Sequence, residues 1–146
     1  MTWVELDNLA RVGKLKHEPP TDDEIAGLLR SAEERLTDAG RTELSYSSRF
    51  DLAYNAAHAL ALVALRRAGY RSENRYLVFQ TLPHTVGMEA AKWRVLAKAH
   101  ERRNLVEYEG YLERDDRLLA ELIALAGELH RSVATSRSQS APGTRT

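Results

Sequence analysis

Apolar residues recur every three or four positions along most of this chain, and this helical spacing is the feature that most constrains its fold. No segment alternates apolar and polar residues over the length of a strand, and the chain contains no Asn-Gly turn pair. Most connections between the periodic segments are short, which favours antiparallel neighbours. The pattern therefore predicts an all-α protein, an antiparallel bundle of four main helices with additional short helices.

Capping residues, glycines and prolines predict where these helices begin and end. Thr21 and Glu24 stand three residues apart and form a capping box, which begins the first main helix. This helix ends at Gly40. The other predicted bounds are a cap at Ser47 or Ser48 with an end at Gly69, a shorter helix from Ser72 to about Leu82 that Pro83 ends, a helix over Glu89–Gly110, and a last helix from Asp115 or Asp116 to Val133.

The chain divides into three parts. Residues 1–20 carry a short helix, which ends at Gly13, and a polar linker that the Pro19-Pro20 pair keeps from being helical. Residues 21–133 form the helical bundle, which is long enough to bury one core. Residues 134–146 contain no aliphatic side chain larger than alanine, so we expect a disordered tail there.

Composition excludes several classes of protein. The formal net charge is zero, which argues against binding duplex nucleic acid by bulk charge, although a local basic site is compatible with it. The chain has no cysteine, and its five histidines lack metal-ligand spacing, so we expect no metal and no cofactor. A basic leader and a long apolar run are both absent, so we expect a cytoplasmic protein that does not enter the membrane.

The segment Glu89–Gly110 carries two useful helix faces. One is a predicted core stripe made of Met88, Ala91, Val95, Ala99 and Val106. The other lies largely across the helix and comprises Trp93, Leu96, Ala97, His100, Arg103, Asn104 and Tyr108. Because a small domain needs only one buried face of such a helix, the second face predicts a partner surface. We expect a homodimer whose interface contains Trp93, Leu96, Ala97, His100 and Asn104.

Four residues of this second face recur at helical spacing and can converge on one patch: His100, Arg103, Asn104 and Tyr108. Arginine binds phosphate oxygens through its planar fork, asparagine donates and accepts hydrogen bonds, and tyrosine stacks on a base. With Arg102 beside them, these residues predict a site for RNA or a nucleotide. The alternative is a solvated helix face, on which the two arginines pair with Glu101 and Glu107.

The remaining histidines have ordinary structural explanations. His58 lies beside alanines of the second main helix, which predicts a hydrogen-bonded histidine in the core or in a groove. His17, His84 and His130 fall in loops or on the surface.

Two stretches of the chain resemble the HEPN domain (higher eukaryotes and prokaryotes nucleotide-binding domain). The stretch from Arg49 to Leu60 (RFDLAYNAAHAL) is similar to the Tyr- and Ala-rich second helix of that family. The stretch from Arg103 to Tyr108 (RNLVEY) is similar to its arginine–polar–spacer–histidine motif. The resemblance covers roughly residues 21–133. It implies a helical bundle that dimerises through its motif helices and takes part in RNA cleavage, toxin–antitoxin systems or defence, often beside a minimal nucleotidyltransferase.

Tyr108 stands where the ribonucleases of that family place histidine. Metal-independent RNA cleavage activates a 2′-hydroxyl and needs a proton acceptor near neutral pH and a cation for the developing charge. Arg103 can supply the cation, whereas a tyrosine, with a reference pKa of about 10, is a poor acceptor. His100 is the histidine within one turn of Arg103. The candidate catalytic residues are therefore Arg103, Tyr108 and His100.

Three functions remain open from the sequence. The first is a homodimer of a toxin–antitoxin or defence system that binds RNA or a nucleotide, with or without metal-independent cleavage. The second is a catalytically inactive, antitoxin-like module that binds another protein, such as a nucleotidyltransferase. The third is a purely structural dimer in which Arg103 and Asn104 order the interface.

Overall fold

The computed structural model describes residues 3–140, apart from the side chains of residues 107, 108 and 135–140, and confirms the all-α bundle. Two short strands pair antiparallel, with Lys16 opposite Arg71 and His17 opposite Tyr70. No described helix is both long and apolar enough to cross a membrane. The elements in chain order are α1 (Val4–Arg11), β1 (Lys16–His17), α2 (Asp22–Ala39), α3 (Tyr46–Arg67), β2 (Tyr70–Arg71), α4 (Arg75–Gln80), α5 (Leu82–Thr85), α6 (Ala90–Glu109) and α7 (Asp116–Ser140).

Helix α3 lies at the centre of the bundle and packs against α2, α7, α4 and α6. Many of its buried residues between Ala53 and Ala61 are alanines, and small side chains let neighbouring helices approach closely. The larger buried residues of α3 include Phe50, Tyr54, Leu60, Val63 and Leu65. Helix α2 adds Ile25 and Leu29, and α7 adds Leu118, Leu122, Leu125, Leu129 and Val133. The core therefore surrounds α3 on several sides.

The N-terminal segment packs onto this bundle. Leu6 of α1 and Leu15 of the linker are buried. The Tyr70 hydroxyl donates a hydrogen bond to the Asp7 carboxylate. Strand β1, which lies within the predicted polar linker, pairs with β2 of the bundle. A strand of two residues is too short to show an alternating pattern, so the sequence did not predict it.

A buried arginine joins the linker to the bundle. Arg66 is 1% exposed, and it donates from Nε to Glu24 Oε2 over 2.7 Å and from Nη2 to Glu18 Oε2 over 3.1 Å. Its Nη1 donates to the backbone oxygens of Glu18 at 2.8 Å and of Tyr70 at 3.1 Å. Arg71 contacts the same two carboxylates. The hydrogen bond from Arg66 holds the pKa of Glu24 below its usual value, against the opposing effect of burial.

The start of α2 is as predicted, and the start of α3 is not. Thr21 and Glu24 form the predicted capping box. Ser45 caps α3 in place of Ser47 or Ser48, and its side-chain oxygen accepts the Ser48 N–H at 3.2 Å. Ser48 is therefore already inside the helix, where its backbone N–H is the donor that the Ser45 cap satisfies.

Pro83 lies in the first turn of α5 and does not end the preceding helix, contrary to the prediction. Helix α4 begins after Asn74, whose Oδ1 accepts the Leu77 N–H at 2.9 Å. Proline fits the first turn because that position has no intrahelical N–H partner to lose. The helix predicted over 72–82 is therefore two short helices that meet at Thr81.

The predicted bounds of α6 are confirmed, but its core-facing side is corrected. Glu89 caps the helix, and Gly110 ends it in the left-handed conformation at φ 81°. The buried residues are Leu96 and Ala99, whereas Ala91 is exposed. Met88, Val95 and Val106, from the predicted stripe, are half-buried. Apolar residues are scattered on both faces, so spacing alone does not decide which face meets the core.

Helix α7 continues past its predicted end at Val133 to Ser140. The residues from Ala134 to Ser140 include neither proline nor glycine, so their sequence does not interrupt helical hydrogen bonding. The predicted disordered tail is corrected for this stretch. Its remainder, 141–146, lies outside the described residues.

Substituting Arg66 tests the energetic weight of the buried arginine. We expect Arg66→Ala to lower the free energy of unfolding by about 3 kcal/mol, because three backbone oxygens lose this donor and two carboxylates keep only their contacts with Arg71. Arg30→Ala, on the exposed face of α2, is the control and should change it by less than about 0.5 kcal/mol. Equal urea midpoints for the two variants would contradict this role.

Candidate functional site

Three helices bring polar and aromatic side chains together beside Tyr54. Helix α3 contributes Tyr54 and His58, helix α4 contributes Arg75 and Phe79, and helix α6 contributes His100 and Arg103. We name this group the Tyr54 cluster, and its members are Tyr54, His58, Arg75, Phe79, His100 and Arg103.

Tyr54 is fully buried and contacts Arg75, Phe79, His100 and Arg103, whereas His58 joins the cluster through the Phe79 ring. The guanidinium carbons of Arg103 and Arg75 lie 5.0 and 5.8 Å from the ring centroid, within the range of cation–π interactions. The ring meets Phe79 edge-on at 5.6 Å. The Tyr54 hydroxyl lies 2.8 Å from Nδ1 of His100. Tyr54 therefore links α3 to α4 and α6.

Burial keeps the ionisable rings of the cluster uncharged near neutral pH. Burial raises the pKa of Tyr54, and the nearby Arg103 and Arg75 oppose that rise. Burial, followed by the charges of Arg103 and Arg75, lowers the pKa of His100. Burial, with the same two arginines and His100, lowers the pKa of His58 to about 4. A phenol and two neutral imidazoles therefore lie among two permanent cations.

Arg103 has an unusual environment for a charged side chain. Its Nε is buried and has no hydrogen-bond partner among the described residues. The described charges that act on Tyr54, His58 and His100 are those of arginines and histidine, with no carboxylate among them. The cluster therefore presents positive charge without a described counter-ion.

The structure brings together three of the predicted site residues and separates a fourth. His100 Nε2 lies 3.1 Å from the Asn104 side-chain amide, and Arg103 packs beside them on Tyr54. Arg102 instead points toward Asp115, with 3.7 Å between Nη2 and Oδ2. Arg102 therefore lies apart from these three residues, because its position on α6 directs it to the start of α7. The side chain of Tyr108 lies outside the described residues.

The predicted interface residues also fall into different environments. Leu96 is fully buried in the core of the monomer, which corrects its assignment to a surface for a partner. Trp93 is half-buried, donating its ring N–H to the Phe79 backbone oxygen at 2.9 Å and meeting the Tyr76 ring edge-on at 6.0 Å. Ala97, His100 and Asn104 do reach the surface, where they line a groove.

This groove runs between α4 and α6 and shares His100 with the Tyr54 cluster. It has a volume of about 830 Å³ and is open to solvent. Arg94, Lys98 and Glu101 supply its charged groups, and Tyr76 supplies an aromatic ring. Its remaining lining residues are Asn74, Ala97, Asn104 and Leu105. We call it the α4–α6 groove.

Sequence reasoning missed Tyr54 and Arg75 as site residues. Tyr54 and His58 stand four residues apart on α3, and this spacing places both on one helix face. This spacing is only a weak indication of a site, because the two residues lie within an otherwise apolar helix. Arg75 follows the cap of a short helix, and only the packing of α4 against α3 and α6 brings it to the cluster.

The part of the chain that the structure describes contains no group of three His, Cys, Asp or Glu side chains that could hold a metal ion. No protein-family model, curated protein or solved structure matches the chain.

The low pKa of His58 makes stability depend on pH. The unfolded chain protonates this histidine near pH 6.5 and the folded protein only near pH 4, so stability is lost as the pH falls through that window. Between pH 7 and pH 4 we expect His58 to account for about 3 kcal/mol of lost unfolding free energy. Urea unfolding at both pH values measures this loss.

Two variants make this test specific to His58. His58→Leu should lack that part of the pH dependence, while His17→Leu, at an exposed histidine, should retain it because His58 is still present. A wild-type slope in His58→Leu would show that other groups cause the acid sensitivity.

Proposed function

We propose that this protein binds a phosphate-bearing ligand, RNA or a nucleotide, where the Tyr54 cluster meets the α4–α6 groove. The observation that carries the proposal is the buried Nε of Arg103, which has no hydrogen-bond partner among the described residues. A buried donor without an acceptor costs free energy, and more so when it carries charge. A phosphate oxygen supplies both the acceptor and the negative charge that this guanidinium lacks.

Arg75 strengthens the case for an anionic ligand. Its Nη1 donates to Asn55 Oδ1 at 2.9 Å, and this neutral amide leaves the arginine charge uncompensated. The guanidinium carbons of Arg75 and Arg103 lie 5.8 and 5.0 Å from the Tyr54 ring centroid, so both charges act on this buried ring. Bringing two cations together is unfavourable without an anion, which supports binding of phosphate at this point.

The α4–α6 groove favours a nucleotide or single-stranded RNA over a simple anion. Tyr76 offers an aromatic surface, and Asn74 and Asn104 offer amides that both donate and accept. Single-stranded RNA is bound by stacking on aromatic rings and by hydrogen bonds to base edges. The resemblance of the stretch from Arg103 to Tyr108 to the HEPN motif supports the same class of ligand.

We extend the proposal to a homodimer that pairs along the exposed side of α6. Leu105 is an apolar residue that is 40% exposed at the groove, and Ala97 lies on the same wall. A second copy of α6 would cover these side chains and extend the groove. A toxin–antitoxin or defence setting, with a partner such as a nucleotidyltransferase, follows from the HEPN resemblance alone.

Arg103 is the residue whose removal tests RNA binding. We expect Arg103→Ala to weaken binding of a short single-stranded RNA by at least about tenfold, the loss of one charged hydrogen-bonding group, while the melting temperature stays close to the wild type. Arg103→Lys should recover only part of the affinity, because an ammonium lacks the planar fork. Fluorescence anisotropy at fixed salt measures all of these affinities.

Arg102→Ala provides a matched control on the same helix. It removes the same charge from the next position, but its guanidinium lies toward Asp115, so we expect less than about threefold loss of affinity. If Arg103→Ala binds RNA as tightly as Arg102→Ala does, the phosphate-site proposal fails and the partner-module alternative takes its place.

Substituting Tyr108 tests whether the site is a ribonuclease scaffold without a proton acceptor. We expect Tyr108→His to raise cleavage of single-stranded RNA in the presence of a chelator, with the rate increasing as the pH rises through about 6.5. Tyr108→Phe should not raise it. Gel analysis of end-labelled RNA gives both rates. Equal cleavage by the wild type and Tyr108→His would contradict the ribonuclease-scaffold interpretation. The proposal that Arg103 binds RNA would not be affected.

A further inference from the structure

The hydroxyl of Tyr54 is a buried donor that needs an acceptor. Tyr54 is fully buried, and a buried hydroxyl proton is nearly always hydrogen-bonded. Among the described residues, the acceptor within hydrogen-bond distance is Nδ1 of His100, at 2.8 Å. The guanidinium of Arg75 also lies near Tyr54, with its carbon 5.8 Å from the ring centroid, but a guanidinium has donors and no acceptor.

These contacts fix the direction of the hydrogen bonds. Because Nδ1 of His100 is the acceptor within reach, the Tyr54 hydroxyl donates its proton to that atom. A neutral imidazole that accepts at Nδ1 carries its own proton on Nε2. Nε2 lies 3.1 Å from the amide nitrogen Nδ2 of Asn104, and both residues line the α4–α6 groove. In that orientation of the amide, Asn104 would donate to Nε2.

The opposite direction is less favourable. If Asn104 donates to Nε2, then Nδ1 carries the proton and donates to Tyr54, and the Tyr54 proton has no acceptor among the described residues. Such a proton, deep in the core, costs the desolvation of that group. Asn104 is exposed, and a half-turn of its amide brings its oxygen to face Nε2 at little cost. The buried group therefore decides the direction, and the exposed amide adapts to it.

We infer that Tyr54 is a positioning residue that holds His100 with its proton on Nε2, so that His100 offers a hydrogen-bond donor, and not a base, to the phosphate-bearing ligand in the α4–α6 groove. The identity of the ligand rests on the proposed function, whereas the protonation of His100 does not. His100 and Arg103 then act together as donors to one anion. A proton on Nε2 also means that His100 cannot take a proton from a ribose 2′-hydroxyl through that atom.

The tautomer of His100 is measurable without any ligand. Long-range ¹H–¹⁵N correlations from the imidazole ring distinguish a proton on Nδ1 from one on Nε2, and loss of the signals in His100→Gln assigns them. At pH 8 we expect the wild-type protein to show the Nε2-protonated form alone. Tyr54→Phe, which keeps the ring, should show both forms. A wild-type protein with its proton on Nδ1, or a Tyr54→Phe spectrum identical to the wild type, overturns the inference.

Ligand binding tests the donor role of His100 separately. The terminal amide of glutamine donates from about the same position as Nε2–H, so His100→Gln should bind single-stranded RNA within about threefold of the wild type. His100→Ala should lose about tenfold. Equal losses in the two variants overturn the donor role.

The two sets of measurements separate the inference from the proposed function. If Arg103→Ala binds RNA like the wild type while the tautomer is as expected, the RNA site fails and the positioning by Tyr54 stands. If Arg103→Ala loses binding while His100 carries its proton on Nδ1, the RNA site stands and the positioning by Tyr54 fails. Thermal melting of Tyr54→Phe and His100→Gln checks that both variants are folded.

Discussion

Helix α3 is buried by neighbours on several sides, and the candidate site follows from that burial. Alanines between Ala53 and Ala61 allow α2, α4, α6 and α7 to approach closely. Tyr54 and His58 lie on the same helix, so their polar atoms enter the interior and must be satisfied there. The Tyr54 hydroxyl is satisfied by His100 of α6, and the Tyr54 ring contacts Arg75 of α4. The packing around α3 therefore brings together polar side chains from α3, α4 and α6.

The distribution of charge sets this cluster apart from the rest of the molecule. The whole chain is neutral, and several of its cations contact acids: Arg66 reaches Glu24, and Lys92 reaches Glu128. Arg103 instead packs on an aromatic ring with its Nε unpaired among the described residues. Local positive charge inside a neutral protein supports the proposed anion site, because attraction at one point does not depend on the charge of the whole protein.

Local signals predicted the helices better than they predicted the site. The capping box at Thr21 and the end of α6 at Gly110 depend on neighbouring residues only, and both are confirmed. The direction in which Arg102 points depends on where α7 begins, and the burial of Leu96 depends on how α6 is rotated against α4. The position of Arg75 beside Tyr54 depends on the packing of α4 against α3 and α6. Periodicity carries no information on these tertiary relations, so the sequence identified His100, Arg103 and Asn104 and missed Tyr54 and Arg75.

The most direct test of the central claim is the NMR signal of the Arg103 Nε–H, the buried group for which a phosphate is proposed. We would titrate the ¹⁵N-labelled protein with a short single-stranded RNA and follow the Nε–H resonances of Arg103 and Arg102. A saturable shift at Arg103 with little change at Arg102 is the expected result. No shift at Arg103, or equal shifts at both arginines, would contradict a phosphate site at Arg103.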